Sequence, residues 1–519
     1  MKFLPLDLST FSTMITENYI YVDKTKHIYD LFSRGQRLYF LARPRRFGKS
    51  LLISTLKELF SGNRNLFKGL WIDSSDYQWQ QYPIIHLDFA NIGHATPEDL
   101  KENLSWRLQK IAQEYNIDIS KDPSVQAQIA SLIIALGKTY NKVVILIDEY
   151  DKPILDHISN LEKAEQMKKI IAGLYETIKS MDAHMRAIFV TGVTKFAKTS
   201  IFSGMNNLND ISFEPEAAQL LGYTQQEIIH YFSNYIDGIT EKKSISRDMV
   251  FENMKEWYNG YRFSELAIKV YNPFSITYYL ARKKLANYWF KSGTPTFLIH
   301  LIKHQFIDLE KIPTAALKSS SLETFELNNI PLIPLLFQAG YLTIDTYDTE
   351  NDKVTLNYPN YEIEESFTKH IIISLTDANQ TTVETALDTL ITSLKKHDLD
   401  TFCKVLQSLF GCIPYTLRID QENYYHSLFQ FLISLLILEI HSEVLTNRGR
   451  IDSVLEIDDY IYIFELKINK PVQEALQQIF DRKYYEKYLL YNKKIILVGL
   501  SFSTVDRCVV TYQSHNIIA

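Results

Sequence analysis

The sequence predicts an α/β fold in which helices cover both faces of a parallel sheet, followed by a helical region and a second, smaller α/β unit. Between residues 38 and 213, short uninterrupted apolar runs alternate with longer amphipathic segments. From about Pro215 to Pro313 the apolar runs fade and helical periodicity dominates. From about Tyr415 onward, strand-like runs return around a helix. Uninterrupted apolar strands are typical of parallel sheets, because both faces of such a sheet are buried.

Length and composition indicate a globular protein with several cores. The chain has 519 residues, of which 46% are hydrophobic and 22% charged. At about 150 residues a domain, this length predicts roughly three domains. The net charge of −6 argues against a protein coated in basic charge for non-specific nucleic-acid binding. It does not exclude a nuclease, whose active site needs only a local basic rim and a divalent metal.

Three features predict a cytoplasmic protein that does not enter a membrane. The segment Met1–Ile15 lacks the basic region and apolar run of a secretory signal. The most apolar stretch, Phe431–Ile440, is about half the ~20 residues that a membrane span needs. The cysteines lie far apart without a CxxC pair, which favours neither disulfides nor structural zinc: Cys403, Cys412 and Cys508.

Four apolar runs predict the strands of the first sheet. They are Leu38–Ala42, Pro83–Phe89, Val143–Ile147 and Ala187–Val190. Amphipathic segments of helical length separate them, so the strands are expected to run parallel with helical crossovers.

The segment Arg43–Ser50 follows the first run and opens a helix. It matches the phosphate-binding pattern G-x-x-x-x-G-K-[ST], with Arg43 in place of the first glycine. In such a loop, backbone N–H groups and the helix N-terminus surround the phosphates, the lysine reaches the β- and γ-phosphates and the hydroxyl ligates Mg²⁺. The predicted ATP-binding residues are Arg45, Arg46, Phe47, Gly48, Lys49, Ser50 and Leu51. The alternative is a basic turn that opens a helix by chance.

The third run ends in carboxylates. Asp148, at the strand tip, is predicted to hold Mg²⁺ through water, and Glu149 to polarise the attacking water as a general base. An acidic turn after a strand is also frequent in α/β proteins without this chemistry.

A polar turn follows the fourth run. In ATPases with an extra strand between the two nucleotide motifs, this position senses the γ-phosphate, which makes Thr194 or Thr191 a candidate. An ordinary capped turn is the alternative.

The middle of the chain reads mainly as helix. Thr224 and Glu227 have the spacing of a capping box at a helix start. Between Leu332 and Phe367, two short strand-like runs interrupt the helical pattern, 341–344 and 354–356.

A second group of polar residues lies near the end of the chain. Asp452 begins a strand, and Glu465 and Lys467 share a face of the next one. If the strands form a hairpin, Asp452 and Glu465 converge and can bind Mg²⁺ or Mn²⁺, while the ammonium positions or deprotonates water. Glu443 is a candidate additional ligand. The alternative is an amphipathic hairpin whose outer face happens to read Asp, Glu, Lys.

Several motifs resemble those of the AAA-ATPase-like family of bacterial proteins that carry a C-terminal PD-(D/E)XK nuclease-type domain. The similarity covers nearly the whole chain. Its motifs are Tyr21–Thr25, Arg43–Ser50, Asp148–Asp151, Tyr271–Ser275, Tyr288–Phe290, Gly293–Leu298 and Gly340–Thr343. Family members also carry arginine at the first glycine position of the loop. At the C-terminus, Gly449–Asp452 followed by Phe464–Lys467 resembles the nuclease-type core, and the resemblance implies that Gln478 faces the site.

These observations predict four regions. They are an AAA-like ATPase core at 1–214, a helical lid at 215–330, a connecting mixed region at 331–414 and a nuclease-like domain at 415–519. The expected function is ATP binding and hydrolysis coupled to a metal-dependent nuclease. The expected partners are ATP and nucleic acid, with DNA favoured although RNA stays open, and a homo-oligomer is one option. The alternative is an ATP-switched regulatory protein whose C-terminal domain only binds a partner.

Overall fold

The computed structural model describes residues 2–196, 208–291, 316–322, 326–327, 330–376, 378–412, 422–440, 453–503 and 509–517. The chain divides into two compact units. One comprises Met1–Phe297 with Pro313–Ile363, and the other Leu298–Ile312 with Glu364–Ala519. The four-region division with bounds near 214, 330 and 414 stays a prediction.

A five-stranded sheet lies at the centre of the first unit. Its strands are β1 (Leu38–Ala42), β2 (Ile84–Asp88), β3 (Val143–Asp148), β4 (Met185–Gly192) and β5 (Asn209–Asp210). Their order is β2-β3-β4-β1-β5, and neighbouring strands run parallel. The parallel sheet predicted from the apolar runs is therefore confirmed. β4 lies between β1 and β3, so it is the additional strand that separates the phosphate-binding loop from the acidic turn.

Helices connect these strands and bury their apolar faces on the sheet. They are α1 (Phe11–Thr16), α2 (Thr25–Ser33), α3 (Lys49–Phe60), α4 (Pro97–Glu114), α5 (Val125–Tyr140), α6 (Lys152–Leu155) and α7 (Leu161–Ser180). Local sequence fixes several starts: Thr96, Ser124 and Asn160 each accept a backbone N–H at an N-cap. Every residue of β3 is buried, as expected for a central parallel strand.

Four helices follow the sheet: α8 (Gln225–Lys243), α9 (Arg247–Tyr258), α10 (Pro273–Arg282) and α11 (Tyr288–Lys291). The predicted capping box is present, because the Glu227 N–H donates to the Thr224 hydroxyl at 3.2 Å and the Thr224 N–H donates to Glu227 Oε2 at 2.7 Å. Asn272 caps α10 and accepts from two backbone N–H groups of its first turn.

The remainder of the first unit holds a small antiparallel sheet. β6 (Leu317–Lys318), β7 (Thr343–Asp348) and β8 (Lys353–Asn357) pair in the order β6-β8-β7, and the helix α12 (Leu332–Ala339) lies between β6 and β7 in the chain. The two strand-like runs predicted here are thus found. The helix α13 (Tyr361–Thr376) begins in the first unit and continues into the second.

The second unit is a small α/β structure, as predicted. Besides α13, the helices described before its sheet are α14 (Gln380–Lys395), α15 (Leu399–Gly411) and α16 (Glu422–Ile440). The sheet has β9 (Ser453–Ile457), β10 (Tyr460–Ile468), β11 (Lys494–Ser503) and β12 (Val509–Ile517), with α17 (Val472–Arg482) crossing from β10 to β11. Its order is β12-β11-β10-β9, and β10 and β11 run parallel while the outer pairs are antiparallel. Across the described ranges, the structure contains no helix with both the length and the apolar character that a bilayer crossing requires.

Candidate nucleotide and nuclease sites

The loop Arg43–Gly48 joins the end of β1 to the start of α3. Gly48 precedes the helix with φ 95°, in the left-handed region that favours glycine. The first helical residue is Lys49, so the unpaired N–H groups of the helix N-terminus belong to the predicted phosphate-binding residues.

Arg43, which stands where the pattern has its first glycine, is buried. Its Nη1 donates to the carbonyls of Ala42 (2.9 Å) and Ser212 (2.6 Å), and its Nη2 to the carbonyl of Ala217 (3.0 Å). The guanidinium carbon lies 4.2 Å from the centroid of the Phe263 ring. Arg46 and Glu149 are among the described non-glycine residues with positive φ, but Arg43 is not. The arginine therefore ties the loop to the segment after β5 without backbone strain.

Lys49 points under the loop. Its Nζ donates to the carbonyls of Arg43 (2.9 Å) and Pro44 (3.0 Å), and the side chain is buried. Burial lowers the pKa of Lys49, while the nearby carboxylates of Glu149, Asp148 and Asp151 oppose that shift. The lysine of the loop and the acidic turn after β3 thus lie close enough to interact.

Asp148 ends β3 and is held by two donors. Its Oδ1 accepts from the Glu149 N–H at 3.1 Å and from the Thr191 hydroxyl on β4. Glu149 takes φ 50° and is half-buried, and burial raises the pKa of its carboxyl. A raised pKa makes this carboxylate a stronger base than an exposed glutamate.

Thr194, the predicted γ-phosphate sensor, is buried against a different carboxylate. Its hydroxyl and its N–H donate to Asp151 Oδ2 at 2.7 and 2.6 Å. The Tyr150 hydroxyl donates to the Thr194 carbonyl at 3.1 Å. Thr191, the other candidate, contacts Asp148 as described above, and the sensor role of either residue stays a prediction.

The loop and the acidic turn open on a cleft of about 360 Å³, within the size range of small-ligand sites. The cleft brings together most of the predicted nucleotide residues: Arg45, Arg46, Gly48, Lys49, Ser50, Leu51 and Glu149. Phe47 does not line it, since its ring packs edge-on against Tyr261 and Phe263. An apolar pocket adjoins the cleft and shares Gly48, Leu51 and Tyr223 with it.

The N-terminal segment and α10 form the opposite wall of the cleft. Asp7 Oδ1 lies 3.4 Å from Arg46 Nη1 of the loop, and the Tyr278 hydroxyl of α10 donates to Asp7 Oδ2. The Arg46 guanidinium lies over the Phe274 ring at 5.0 Å. These contacts could not be predicted from the sequence, because Asp7 and Tyr278 belong to none of the recognised motifs.

Trp289 holds the loop from a third direction. Its indole Nε1–H donates to the carbonyl of Arg45 at 2.9 Å, and its backbone N–H donates to Glu362 Oε1 at 2.6 Å. The Ser275 hydroxyl donates to Glu362 Oε2 at 2.7 Å. Burial raises the pKa of Glu362 to about 8, although these hydrogen bonds oppose the shift. No sequence motif indicates that Glu362 supports Trp289 and, through it, the loop.

In the second unit, β10 and α17 bring three predicted residues together. Glu465 is 2% exposed, and its Oε1 lies 3.3 Å from Lys467 Nζ and accepts from Gln478 Nε2. The predicted hairpin is present, since β9 and β10 pair antiparallel with Ser453 opposite Phe464. Asp452 and Glu443 lie outside the described residues.

Both sites contain oxygen ligands of the kind that a hard divalent cation prefers. Ser50 and Glu149 supply oxygen atoms at the nucleotide cleft, and Glu465 supplies a buried carboxylate in the second unit. Asp148, the other predicted ligand, is buried at the end of β3 and does not line the cleft. In the part of the chain that the structure describes, no three His, Cys, Asp or Glu side chains converge on one point.

Comparisons with known proteins match both units. Residues 5–202 match the family model "Predicted AAA-ATPase", and residues 420–512 match the "PD-(D/E)XK nuclease superfamily" model. The chain is 33% identical over 523 residues to "Uncharacterized protein in vnfD 5'region" of Azotobacter chroococcum mcd 1, covering 98% of each chain. The Aeropyrum pernix ORC1 protein, solved in complex with DNA, matches 69% of this chain and 96% of its own at 10% identity. Its TM-score of 0.23 is too low to support an argument.

The family models agree with the order and content of the two units, and the relative matches almost from end to end. The resemblance drawn from the sequence motifs is therefore confirmed. The chain belongs to the AAA-ATPase-like family whose members carry a C-terminal PD-(D/E)XK nuclease-type domain.

Proposed function

We propose that the protein binds and hydrolyses ATP in the cleft between α3 and the end of β3, and that the ATP state controls a metal-dependent nuclease reaction of the second unit. One observation carries the ATPase part: Lys49, Ser50 and Glu149 line the same cleft. Lys49 would exchange its carbonyl contacts for the β- and γ-phosphates, which are stronger acceptors because they are charged.

Other residues around the cleft would bind the metal ion and accept the proton of the attacking water. Ser50 and Asp148 would hold Mg²⁺, which would neutralise part of the charge of the phosphates. Thr191 fixes the orientation of Asp148 through its hydroxyl. Glu149 would accept a proton from the attacking water, a task suited to its raised pKa.

The apolar pocket beside the cleft suits the adenine ring. Aliphatic side chains of two separate segments line it, among them Val22, Leu220 and Leu221. A flat base placed there would have its triphosphate directed toward Gly48, which lines both the pocket and the cleft.

The nuclease part rests on the group formed by Glu465, Lys467 and Gln478. Glu465, together with the predicted ligands Asp452 and Glu443, would hold Mg²⁺ or Mn²⁺, which supplies charge stabilisation to the phosphodiester. The Lys467 ammonium lies beside Glu465 and would position or deprotonate the attacking water. Gln478 fixes the orientation of the Glu465 carboxyl by its hydrogen bond.

ATP binding is tested by isothermal titration with Lys49→Ala. The affinity for ATP should fall at least tenfold, because backbone amides cannot replace the lysine charge. Lys57→Ala, at an exposed position of the same helix, is the control and should bind as the wild type does. Unchanged affinity in Lys49→Ala would refute the assignment of the phosphate loop.

Nuclease activity is tested with single-stranded and duplex DNA and with RNA, with and without ATP, in Mg²⁺ or Mn²⁺. Cleavage should stop on adding a chelator, and Asp452→Ala, Glu465→Ala and Lys467→Ala should each lower it by orders of magnitude. Glu474→Ala, at an exposed position of α17, is the control and should cleave normally. Binding without cleavage under every condition would favour the regulatory alternative instead.

A further inference from the structure

The segment after α17 combines positive charge with aromatic rings. Residues 482–494 contain five cationic side chains and one carboxylate, a net charge of +4 in a chain whose net charge is −6. Four tyrosines are interleaved with these cations: Tyr484, Tyr485, Tyr488 and Tyr491. Tyr488 is buried in a hydrophobic core, and Tyr484 and Tyr485 pack against that core, so Tyr491 is the most exposed ring of the segment.

A concave pocket of about 600 Å³ lies beside the end of this segment. Its lining includes two rings, two ammonium groups, an amide and a carboxylate: His397, Tyr460, Lys493, Lys494, Asn492 and Asp459. The His397 and Tyr460 rings stack, with their planes 3° apart and their centroids at 5.3 Å. Lys494 Nζ lies 5.5 Å from the Tyr460 centroid, and Lys493 pairs with Glu456 at 2.5 Å. Flat rings, ammonium groups and amides thus meet in one pocket.

An apolar turn projects from the same segment. Leu490 is 93% exposed, and its neighbours Leu489 and Tyr491 are 41% and 43% exposed. Adjoining large apolar side chains that face water mark a contact surface more often than an isolated exposed leucine does. Lys487, Lys493 and Lys494 flank this turn, so a partner that covers it must tolerate or require positive charge.

We propose that the pocket and the segment 482–494, together called the basic-aromatic surface, bind one strand of a nucleic acid, with a base stacked in the pocket and phosphates on Lys493 and Lys494. This inference rests on the proposed function, since it assumes that nucleic acid is the substrate class of the second unit. Stacking on aromatic rings beside cations is how proteins hold single strands without reading their sequence. A single strand is favoured over a duplex because its base faces are accessible.

Other ligands fit less well. An acidic peptide would use the lysines but not the flat ring pair. A free nucleotide shares the chemistry of the pocket, but it would leave the Leu489–Tyr491 turn and the cations before it uncovered. A strand longer than one nucleotide uses both parts of the surface.

The pocket of this surface is separate from the Glu465 group, whereas Tyr488 of the segment packs with Ile461 and Ile463 on the face of β10 that carries Glu465. Tyr460 and Glu465 are five positions apart on β10, so they lie on opposite faces of the sheet and roughly 16 Å apart along the strand. Binding at this surface can therefore be measured while cleavage is disabled at Glu465.

The test uses the full chain carrying Glu465→Gln and a fluorescently labelled single-stranded 20-mer, followed by anisotropy. Adding Lys493→Gln with Lys494→Gln should weaken binding about tenfold. It should also reduce the slope of log K against log salt by about 1.4, which corresponds to two lost phosphate contacts on a single strand. Lys101→Gln with Lys110→Gln, at exposed positions of α4, is the matched control and should leave both quantities unchanged.

A second pair of variants tests the base contact. Tyr460→Ala should weaken binding about tenfold, whereas Tyr460→Phe, which keeps the ring, should bind as the parent does. Leu490→Ser should weaken binding without changing the salt slope, because it removes no charge.

The outcomes separate this inference from the proposed nuclease. If strand binding depends on Lys493 and Lys494 but the wild-type chain cleaves no substrate under any condition, the surface is supported and the proposed nuclease is refuted. If the wild-type chain cleaves and none of the substitutions in the basic-aromatic surface changes strand binding or cleavage, the surface is refuted and the proposed nuclease is unaffected. Thymidine monophosphate that displaces the strand at concentrations near the dissociation constant of the strand would identify a free-nucleotide site and overturn the strand assignment.

Discussion

At the scale of single residues, hydrogen-bond partners decide what each carboxylate near the cleft can do. Asp148 accepts from Thr191 and from the Glu149 N–H, and Asp151 accepts from Thr194. Those contacts fix two carboxylates in place. Glu149, which lines the cleft, is the acidic residue of the three best placed to act on a bound water.

Glu149→Gln is expected to retain ATP binding and to lower single-turnover hydrolysis by 100-fold or more. The amide keeps the shape of the side chain but cannot accept the proton of the attacking water. Rapid-quench measurement of one turnover gives the rate, and titration gives the affinity. Hydrolysis at the wild-type rate would show that another group acts as the base.

The same residue sets an expectation for pH. Because burial raises the pKa of Glu149, wild-type hydrolysis should decline with falling pH at a higher pH than an exposed glutamate would produce. The residual activity of Glu149→Gln should lack this decline.

Glu362→Gln is expected to change how stability depends on pH. The pKa of the Glu362 carboxyl is about 8 in the folded chain, compared with an ordinary value of 4.5. Between these two pH values, the folded chain therefore binds the proton more tightly than the unfolded chain does. The stabilisation from this group is therefore complete below the ordinary value and is lost as pH rises through about 8. The unfolding temperature of the variant, relative to wild type, should rise between pH 5 and pH 8.

Glu256→Gln, at an exposed position of α9, is the control for that experiment and should show a constant difference from wild type. The same constant difference in Glu362→Gln would mean that Glu362 stays ionised when buried.

At the scale of elements, the end of α12 presses on the phosphate-binding loop. α12 ends at Gly340, which takes φ 91°. A Cβ placed on Gly340 would lie 2.6 Å from Pro44 Cβ, closer than side chains approach one another. The loop is thus shaped by a helix end that lies almost three hundred residues further along the chain.

Gly340→Ala is expected to raise the dissociation constant for ATP severalfold, because the new methyl group must displace Pro44. Gly35→Ala is the matched control: Gly35 also has positive φ (79°), but nothing lies within 4 Å of its Cβ position. Both variants should lose about 1 kcal/mol of stability from the left-handed backbone, and only Gly340→Ala should bind ATP more weakly. Equal affinities would show that the contact with Pro44 does not matter to the cleft.

The sequence predicted those elements whose signals are local. β1, the loop, α3 and β3 follow from apolar runs and a motif, and the β9 and β10 hairpin from two runs separated by a short turn. The sequence did not predict β12, because most of that strand is exposed and its apolar pattern is weak.

The partners of the site residues could not be predicted either. Two acceptors of Arg43, the carbonyls of Ser212 and Ala217, and the donor to the Arg45 carbonyl lie roughly 170 to 240 residues away in the chain. Contacts at such separations leave no periodic or spacing signal in a single sequence. Glu465 and Lys467 were found because they lie two positions apart on one β-strand, and Gln478 was found through the family resemblance.

At the scale of the whole molecule, the chain consists of two compact units. The unit that contains the cleft should gain stability from ATP, since any ligand that binds only the folded state stabilises it. Differential scanning calorimetry is expected to show two transitions, of which Mg·ATP shifts one. At a hundred times the dissociation constant, the gain should be about 2.7 kcal/mol.

Lys49→Ala should abolish this shift while leaving both transitions in place. If Mg·ATP moved both transitions equally in the wild type, the two units would not unfold separately.

The contacts of Arg43 determine how short a fragment of the chain can be and still hold the phosphate-binding loop in place. The family model of the ATPase stops at residue 202, but the arginine at the start of the loop is anchored by Ser212, Ala217 and Phe263. Trp289 and Gly340 hold the same loop from still further along the chain. A fragment cut at the motif boundary would keep every recognised ATPase motif of the first two hundred residues and lose the supports that shape them. A fragment that keeps all these supports of the loop must extend at least to Gly340.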